Sequence, residues 1–227
     1  MVDIAVIDYG MGNLRSVAKA IEHVASGLRI EVTSDSRVVA GAGRVVFPGQ
    51  GAMPDCMREL DGRGLREAVL EAATRKPFLG ICIGLQMLFE RSEEGNIEGL
   101  GLLKGEVVRF HPQRMLDTSG NRLKVPHMGW NEVHQTSEHP LWEGIRSGSR
   151  FYFVHSYYPL PKDPEIVAGY SRYPYPFTSA VARANLFAVQ FHPEKSQAVG
   201  LKLLHNFVRW DGVHRSGAKK DVIPELL

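Results

Sequence analysis

Two short stretches put reactive side chains where they could do covalent chemistry. The first is Gly80-Ile81-Cys82-Ile83-Gly84-Leu85-Gln86. An apolar strand runs straight into a helix through one cysteine, with glycines two residues before it and two after. This is the pattern of a nucleophile elbow, whose sharp turn presents the nucleophile at the carboxyl edge of a sheet. A sulfur there lies near a helix N-terminus, which favours the thiolate, the reactive form. The same turn aims the Ile83 amide at the space above the sulfur, forming half of an oxyanion hole. On this pentapeptide alone, a buried cysteine with helix-packing glycines remains the competing reading.

A cysteine nucleophile needs an imidazole, and the imidazole needs an orienting acid. Among nine histidines, the one in Phe191-His192-Pro193-Glu194 is the best placed. It follows an apolar strand over 186–190. Pro193 pushes His192 to an extended conformation. Residues two apart in an extended segment point the same way, so Glu194 can lie beside His192 and fix its tautomer. A Cys82/His192/Glu194 triad is the favoured reading. Pro48-Gly49-Gln50-Gly51 also closes a strand. Its two glycines, Gly49 and Gly51, let the backbone turn amides toward a developing negative charge, supplying the second oxyanion donor. Cys56 reads as a small buried hydrophobe, and His139 and His205 as idle.

The elements that must position these residues alternate. Strands are expected over 3–8, 28–33, 44–47 and 78–81. Helical stripes are expected at Leu14, Val17, Ala18, Ile21 and Val24, at Leu65, Ala68, Val69 and Ala72, and at Leu85, Leu88 and Phe89. Strand–helix alternation of this kind implies a parallel sheet covered on both faces. The second half reads as strands over 107–110, 131–134, 151–158, 166–170, 177–182 and 186–190. They suggest a mixed sheet or a small antiparallel annex. A last helix runs from about Gln197 to Trp210, with Gly200, Leu203, Leu204, Phe207 and Val208 on one face. A polar tail, 211–227, follows.

Composition excludes more than it names. The 227 residues are 44% hydrophobic and 23% charged, ordinary for a globular protein. A formal net charge of +2 is too balanced to announce a nucleic-acid partner. No apolar run approaches a membrane span and the N-terminus lacks a secretory pattern. Two cysteines without such a signal suggest a reduced, cytosolic setting. Gly10-Met11-Gly12 fails the dinucleotide fingerprint because Arg15 stands at the sixth position. There is no phosphate-binding loop of Walker type and no zinc-ligand spacing, so no cofactor or metal is expected.

Together, and in chain order, the three motifs resemble the class I (triad) glutamine amidotransferases, over about Asp3 to Trp210. Within that family, Ile7-Asp8-Tyr9-Gly10-Met11-Gly12-Asn13-Leu14, Pro126-His127-Met128-Gly129-Trp130-Asn131 and His192-Pro193-Glu194-Lys195-Ser196 are similar to the glutaminase subunits of imidazole glycerol phosphate synthases. The resemblance implies a three-layer α/β, flavodoxin-like fold with a central, mostly parallel mixed sheet. It implies a domain over 1–210, with 211–227 as a tail. It implies that Cys82 attacks the glutamine side-chain amide, that His192 shuttles the proton, that Glu194 orients it, and that Gln86 lines the glutamine pocket. It also implies that ammonia is received by a (β/α)8-barrel cyclase partner. A partner fits the residues too, because the chain has no phosphate-binding loop to hold an acceptor. Asn13, Trp130, Tyr152 and Lys195 are candidate docking residues around the site's mouth. Core packing competes for Trp130 and Tyr152, a helix cap for Asn13 and a solvated charge for Lys195. One departure from the family pattern is Gln50, long and polar where a small apolar residue is expected. Two other classes remain: a stand-alone cysteine hydrolase, disfavoured because the acid follows the histidine, and a binding module with an inert Cys82.

Overall fold

The computed structural model describes residues 2–117 and 119–213. In chain order the elements are β1 (Ile4–Ile7), α1 (Leu14–Val24), β2 (Ile30–Thr33), α2 (Ser36–Gly41), β3 (Arg44–Gly49), α3 (Met53–Gly62), α4 (Arg66–Arg75), β4 (Phe78–Cys82), α5 (Ile83–Gln86), β5 (Phe89–Ser92), β6 (Ile97–Glu98), β7 (Leu103–Arg109), β8 (His127–Gln135), β9 (Ser149–His155), β10 (Tyr157–Pro161), β11 (Val167–Arg172), β12 (Pro176–Arg183), β13 (Leu186–Val189) and α6 (Gln197–Arg209).

Nine strands form one mixed sheet in the order β2-β1-β3-β4-β13-β12-β11-β8-β9. From β2 to β13 the neighbours are parallel, and from β13 to β9 they are antiparallel. The sequence shows why. β1, β4 and β13 are apolar and buried throughout, as strands covered on both faces must be. β9 instead alternates inward and outward residues. Helices α1 and α6 pack together, as do α2 and α4, to give the helical layers. The apolar stripes of α1 and α6 face the core as expected, with Val17, Ala18 and Ile21 buried on one and Leu203, Leu204 and Phe207 on the other.

A four-stranded annex, β10-β7-β5-β6, supplies the second sheet. It changes two expectations. The helix after Cys82 stops at Gln86, and Phe89 pairs with Leu103 in β5 instead of extending it. The segment expected as one strand over 151–158 breaks at Ser156. Its first part, β9, stays in the large sheet, and β10 crosses to β7 in the annex. Neither α2 nor α3 is among the expected elements: α2 is only six residues long, whereas in α3 Met53, Cys56, Met57 and Leu60 do fall at offsets 0, 3, 4 and 7 and are buried on one face. Of the tail, residues from 214 onward lie outside the described residues. No described helix is long and apolar enough to cross a membrane.

Candidate active site

β4 ends on Cys82 and α5 begins at the next residue. The turn is made at Cys82 itself, with φ 56° and ψ −111°. A non-glycine residue there is strained by about 1–3 kcal/mol, and such strain persists where surrounding structure enforces it. The enforcing contacts are visible. A Cβ on Gly84 would lie 1.9 Å from the Phe47 carbonyl oxygen, and one on Gly49 would lie 2.6 Å from the Tyr9 hydroxyl and 2.7 Å from Ile83 Cβ. These bare backbones let β3, β4 and α5 close on one another, with Gly49 in register beside Cys82. The Tyr9 hydroxyl donates to the Pro48 carbonyl at 2.9 Å, and the Cys56 thiol to the Gln50 carbonyl at 3.5 Å, so both ends of the 48–51 turn are tethered from the core.

His192 follows β13 at the same sheet edge. Its backbone is pinned: its N–H donates to Tyr152 O at 2.9 Å, and its carbonyl accepts from Ser196 Oγ at 2.6 Å. The ring Nδ1 lies 2.9 Å from Glu194 Oε1, with the two side chains only 6% and 2% exposed. A carboxylate accepts, so Nδ1 carries the hydrogen. Nε2 is buried and has no hydrogen-bond partner among the described residues. Burial opposes the imidazolium, but the charge of Cys82, and then Glu194, outweighs it and pushes the His192 pKa up to about 10. Cys56 behaves oppositely, since burial pushes its thiol up to about 11.

Cys82 and His192 line one cavity of about 250 Å³. That is below the range of about 300–1,000 Å³ typical of drug-sized ligands. Gln50, Gly51, Ile83 and Gln86 complete its inner wall. The Gln86 amide nitrogen donates to the Tyr157 carbonyl and to Gln190 Oε1, each at 3.1 Å. Gln190 in turn points its own amide nitrogen at the Cys82 sulfur, 3.8 Å away. Gln86 Oε1 is left buried without a partner, an acceptor available to a ligand. Glu94 is the cavity's one carboxylate, tethered by the Met53 N–H at 2.8 Å. A larger groove of about 570 Å³, between Arg109, Arg122 and Met128, carries no thiol, imidazole or carboxylate in its lining. Among the described residues no cluster of His, Cys, Asp or Glu could hold a metal ion.

Residues 5–210 match the family described as glutamine amidotransferase class-I. The chain belongs to the class I glutamine amidotransferases. It is 70% identical to the imidazole glycerol phosphate synthase subunit HisH of Aromatoleum aromaticum, covering 92% of this chain and 99% of that one. It is 66% identical to the HisH of Thiobacillus denitrificans, covering 95% of each. Its fold is that of a GMP synthase-like protein from Thermoplasma acidophilum, with TM-score 0.65, 20% identity and coverage of 92% and 93%.

In this amidotransferase the structure brings Cys82, His192, Gly51, Ile83 and Gln86 to one cavity, with Glu194 behind His192 and Gly49 beside Cys82. Lys195 also reaches the cavity. Trp130 is 43% exposed and meets Tyr152 edge-on, ring centroids 6.2 Å apart, across the β8–β9 pair. Asn13 caps α1 through its side-chain oxygen and does not line the cavity. Sequence reasoning missed Gln190, Glu94 and the Tyr157 carbonyl. None of them carries a signal of its own in the sequence: β13 and β4 are parallel with Val189 opposite Ile81, and only that register brings the next residue, Gln190, beside Cys82.

Proposed function

We propose that this chain is the glutaminase subunit of an imidazole glycerol phosphate synthase, acting in histidine biosynthesis. It hydrolyses L-glutamine to L-glutamate and ammonia. The observation that carries the reading is the strained Cys82, held in one small cavity with an imidazole whose other nitrogen is fixed by a buried carboxylate.

The Cys82 thiolate attacks the side-chain amide carbon. The resulting oxyanion is held by the Ile83 N–H, an unsatisfied donor at the start of α5, and by an N–H of the Gly49–Gly51 turn. His192 gives its Nε2 proton to the leaving nitrogen, so ammonia departs and a glutamyl thioester remains. Water then adds to the thioester carbon while His192 takes its proton, and the thiolate leaves with release of glutamate. Glu194 keeps the imidazole in the required tautomer. Glu94 suits the substrate's α-ammonium, and Gln86 Oε1 accepts from a substrate N–H.

Ammonia in neutral water is mostly protonated and no longer nucleophilic, so it must pass directly to its acceptor. The receiver is the (β/α)8-barrel cyclase of the synthase, docked over the cavity mouth near Trp130, Tyr152, Lys195 and the α1 cap at Asn13. There ammonia meets a phosphoribulosyl formimino carboxamide ribotide, giving imidazole glycerol phosphate and an aminoimidazole carboxamide ribotide. Two unpaired buried cysteines suit a reduced cytosol. Residues 1–210 form the catalytic domain.

The test is glutamate release by this chain with and without the cyclase and its nucleotide. Release that is weak alone and rises in the complex supports the reading. Cys82→Ala abolishes it while the complex still uses ammonium salts. Strong release unaffected by any partner, or a Cys82→Ala complex unable to use ammonium, overturns it.

A further inference from the structure

The antiparallel register of β8 and β9 puts His127 opposite His155. The two imidazoles meet, His127 Nδ1 lying 2.9 Å from His155 Nε2. Both are buried. Burial pulls His127 down to about 4, and burial together with His127 pulls His155 down to about 3, so both rings are neutral at pH 7. Neither takes part in the thioester chemistry above. His155 nevertheless lines the catalytic cavity.

A neutral imidazole has one donor and one acceptor nitrogen, and both ends of this pair dictate which is which. At one end, Asn131 Oδ1 accepts from the Glu132 N–H at 2.8 Å. That turns Nδ2 toward the Arg172 carbonyl at 2.9 Å and His127 Nε2 at 3.3 Å. Nδ2 only donates, so His127 Nε2 accepts and Nδ1 carries the hydrogen. At the other end, His155 Nδ1 lies 2.8 Å from the Tyr157 carbonyl oxygen. That oxygen only accepts, so His155 Nδ1 carries the hydrogen and Nε2 accepts. The two assignments, made from opposite ends, agree where the rings meet. The same Tyr157 oxygen accepts from the Gln86 amide nitrogen, which leaves Gln86 Oε1 unpartnered at the cavity wall.

We propose that Asn131, His127 and His155 are positioning residues for glutamine binding. They form a one-way hydrogen-bond chain from β8 that holds the Tyr157 carbonyl in place, so that it fixes the Gln86 amide with its oxygen presented to the substrate. The proposal rests on the glutaminase reading of the cavity. Cutting the chain frees His155 to put its hydrogen on Nε2 and turn a lone pair toward the Tyr157 carbonyl. The Gln86 amide then loses its fixed orientation. A net hydrogen bond of about 0.5–1.5 kcal/mol corresponds to roughly two- to tenfold in binding. The loss falls on KM, because no group in the chain touches the scissile amide.

The direct test is a long-range proton–nitrogen NMR correlation of the full chain labelled at its histidine rings. Both His127 and His155 are expected to be protonated at Nδ1 and bare at Nε2 near pH 7.5. A hydrogen on Nε2 of either ring overturns the proposal. The kinetic test uses the chain in complex with its cyclase partner. His127→Phe is expected to raise KM for glutamine about three- to tenfold with kcat within about twofold. His127→Gln, whose amide accepts from Asn131 and donates to His155, is expected to stay near wild type. Equal losses in the two variants, or an unchanged KM in His127→Phe, overturn it. If His127→Phe does not fold, Asn131→Ala serves in its place. It removes only the half-exposed end of the chain and is expected to raise KM about twofold and to put hydrogen on His127 Nε2 in part of the population. No change in either overturns the proposal. A wild-type chain that releases no glutamate would refute the glutaminase reading but leave the tautomer result standing, so the two failures are separable.

Discussion

Replacing Gly84 by alanine tests whether the elbow's glycines hold the site together. The added Cβ would stand 1.9 Å from the Phe47 carbonyl oxygen, and real contacts of this kind essentially never fall below 3.0 Å. One side must therefore move by about 1 Å. If β3 yields, the shift passes into Pro48–Gly51 and displaces the proposed oxyanion donors. If α5 yields, it carries away the Ile83 N–H and Gln86. Either way a reacting group loses its place, and a misplacement of about 1 Å costs on the order of 10²-fold in rate. Overpacking a core costs about 1–3 kcal/mol. For a chain of this size that lowers Tm by about 2–12 °C, which leaves the protein folded at assay temperature given about 5–15 kcal/mol of stability. The assay is glutamate release in the complex, alongside thermal unfolding. Gly62→Ala is the control: it ends α3, and a Cβ there meets nothing within 4 Å, so rate and Tm should hold or Tm rise slightly. Wild-type kcat/KM in Gly84→Ala would refute the account of the elbow.

Other outcomes follow from the same geometry. A glutamine-like electrophile at pH 7.5 should alkylate Cys82 far faster than Cys56, whose thiol burial pushes up to about 11; equal rates read by peptide mass spectrometry would count against an activated Cys82. Glu194→Gln should lower kcat by on the order of 10²–10⁴-fold with little change in fold, because an acceptor-only carboxylate is replaced by a neutral amide whose NH2 can donate to Nδ1 and hold the other tautomer; a loss confined to KM would argue against that role. His127 and His155 have native pKa values of about 4 and about 3 against about 6.5 unfolded. Their stabilisation is therefore complete above pH 6.5 and lost on acidification, by roughly 2 kcal/mol per ring between pH 6.5 and 5. The carboxyls of Asp35 and Glu90, held down to about 2 by hydrogen bonds, titrate below that window. Urea unfolding at the two pH values measures the difference, and a His127→Gln/His155→Gln chain should not show it.

What the sequence made legible was local. The elbow is written in five consecutive residues, and the His192/Glu194 pair in three, because a strand end and a proline settle their directions without help from elsewhere. The parallel core was readable because strands buried on both faces are apolar throughout. What escaped was set by distant partners. Leu88 and Phe89 continue a helical spacing, yet pairing with Leu103 outweighs that weak preference and turns Phe89 into a strand. The alternation over 151–158 continues through Ser156, so nothing local marks the point where the chain leaves one sheet for another. Gln190 and Glu94 look like ordinary strand-end and turn residues; only the sheet register brings one to the sulfur, and only the annex brings the other to the cavity wall.

That annex also explains how one cavity can hold two imidazoles in opposite charge states. His192 sits between the Cys82 sulfur and Glu194, and those two negative partners outweigh its burial. His155 lines the same cavity, but its neighbours are a second neutral imidazole, a backbone carbonyl and aromatic rings. Its hydrogen-bond partners among the described residues are both neutral, so no anion in contact with it offsets desolvation, and the nearby His192 charge lowers it further. Environments that push two like groups apart assign their tasks. In the proposed mechanism, the ring that can hold a proton at working pH is the one that delivers it to the departing nitrogen. The ring that cannot is limited to passing hydrogen-bond direction along the wall. A cavity with both rings charged would bring a second proton to ammonia just as the reaction needs it neutral. The break at Ser156 sends the chain from β9 into β10, and the Tyr157 carbonyl just beyond it is what His155 Nδ1 meets, at 2.8 Å.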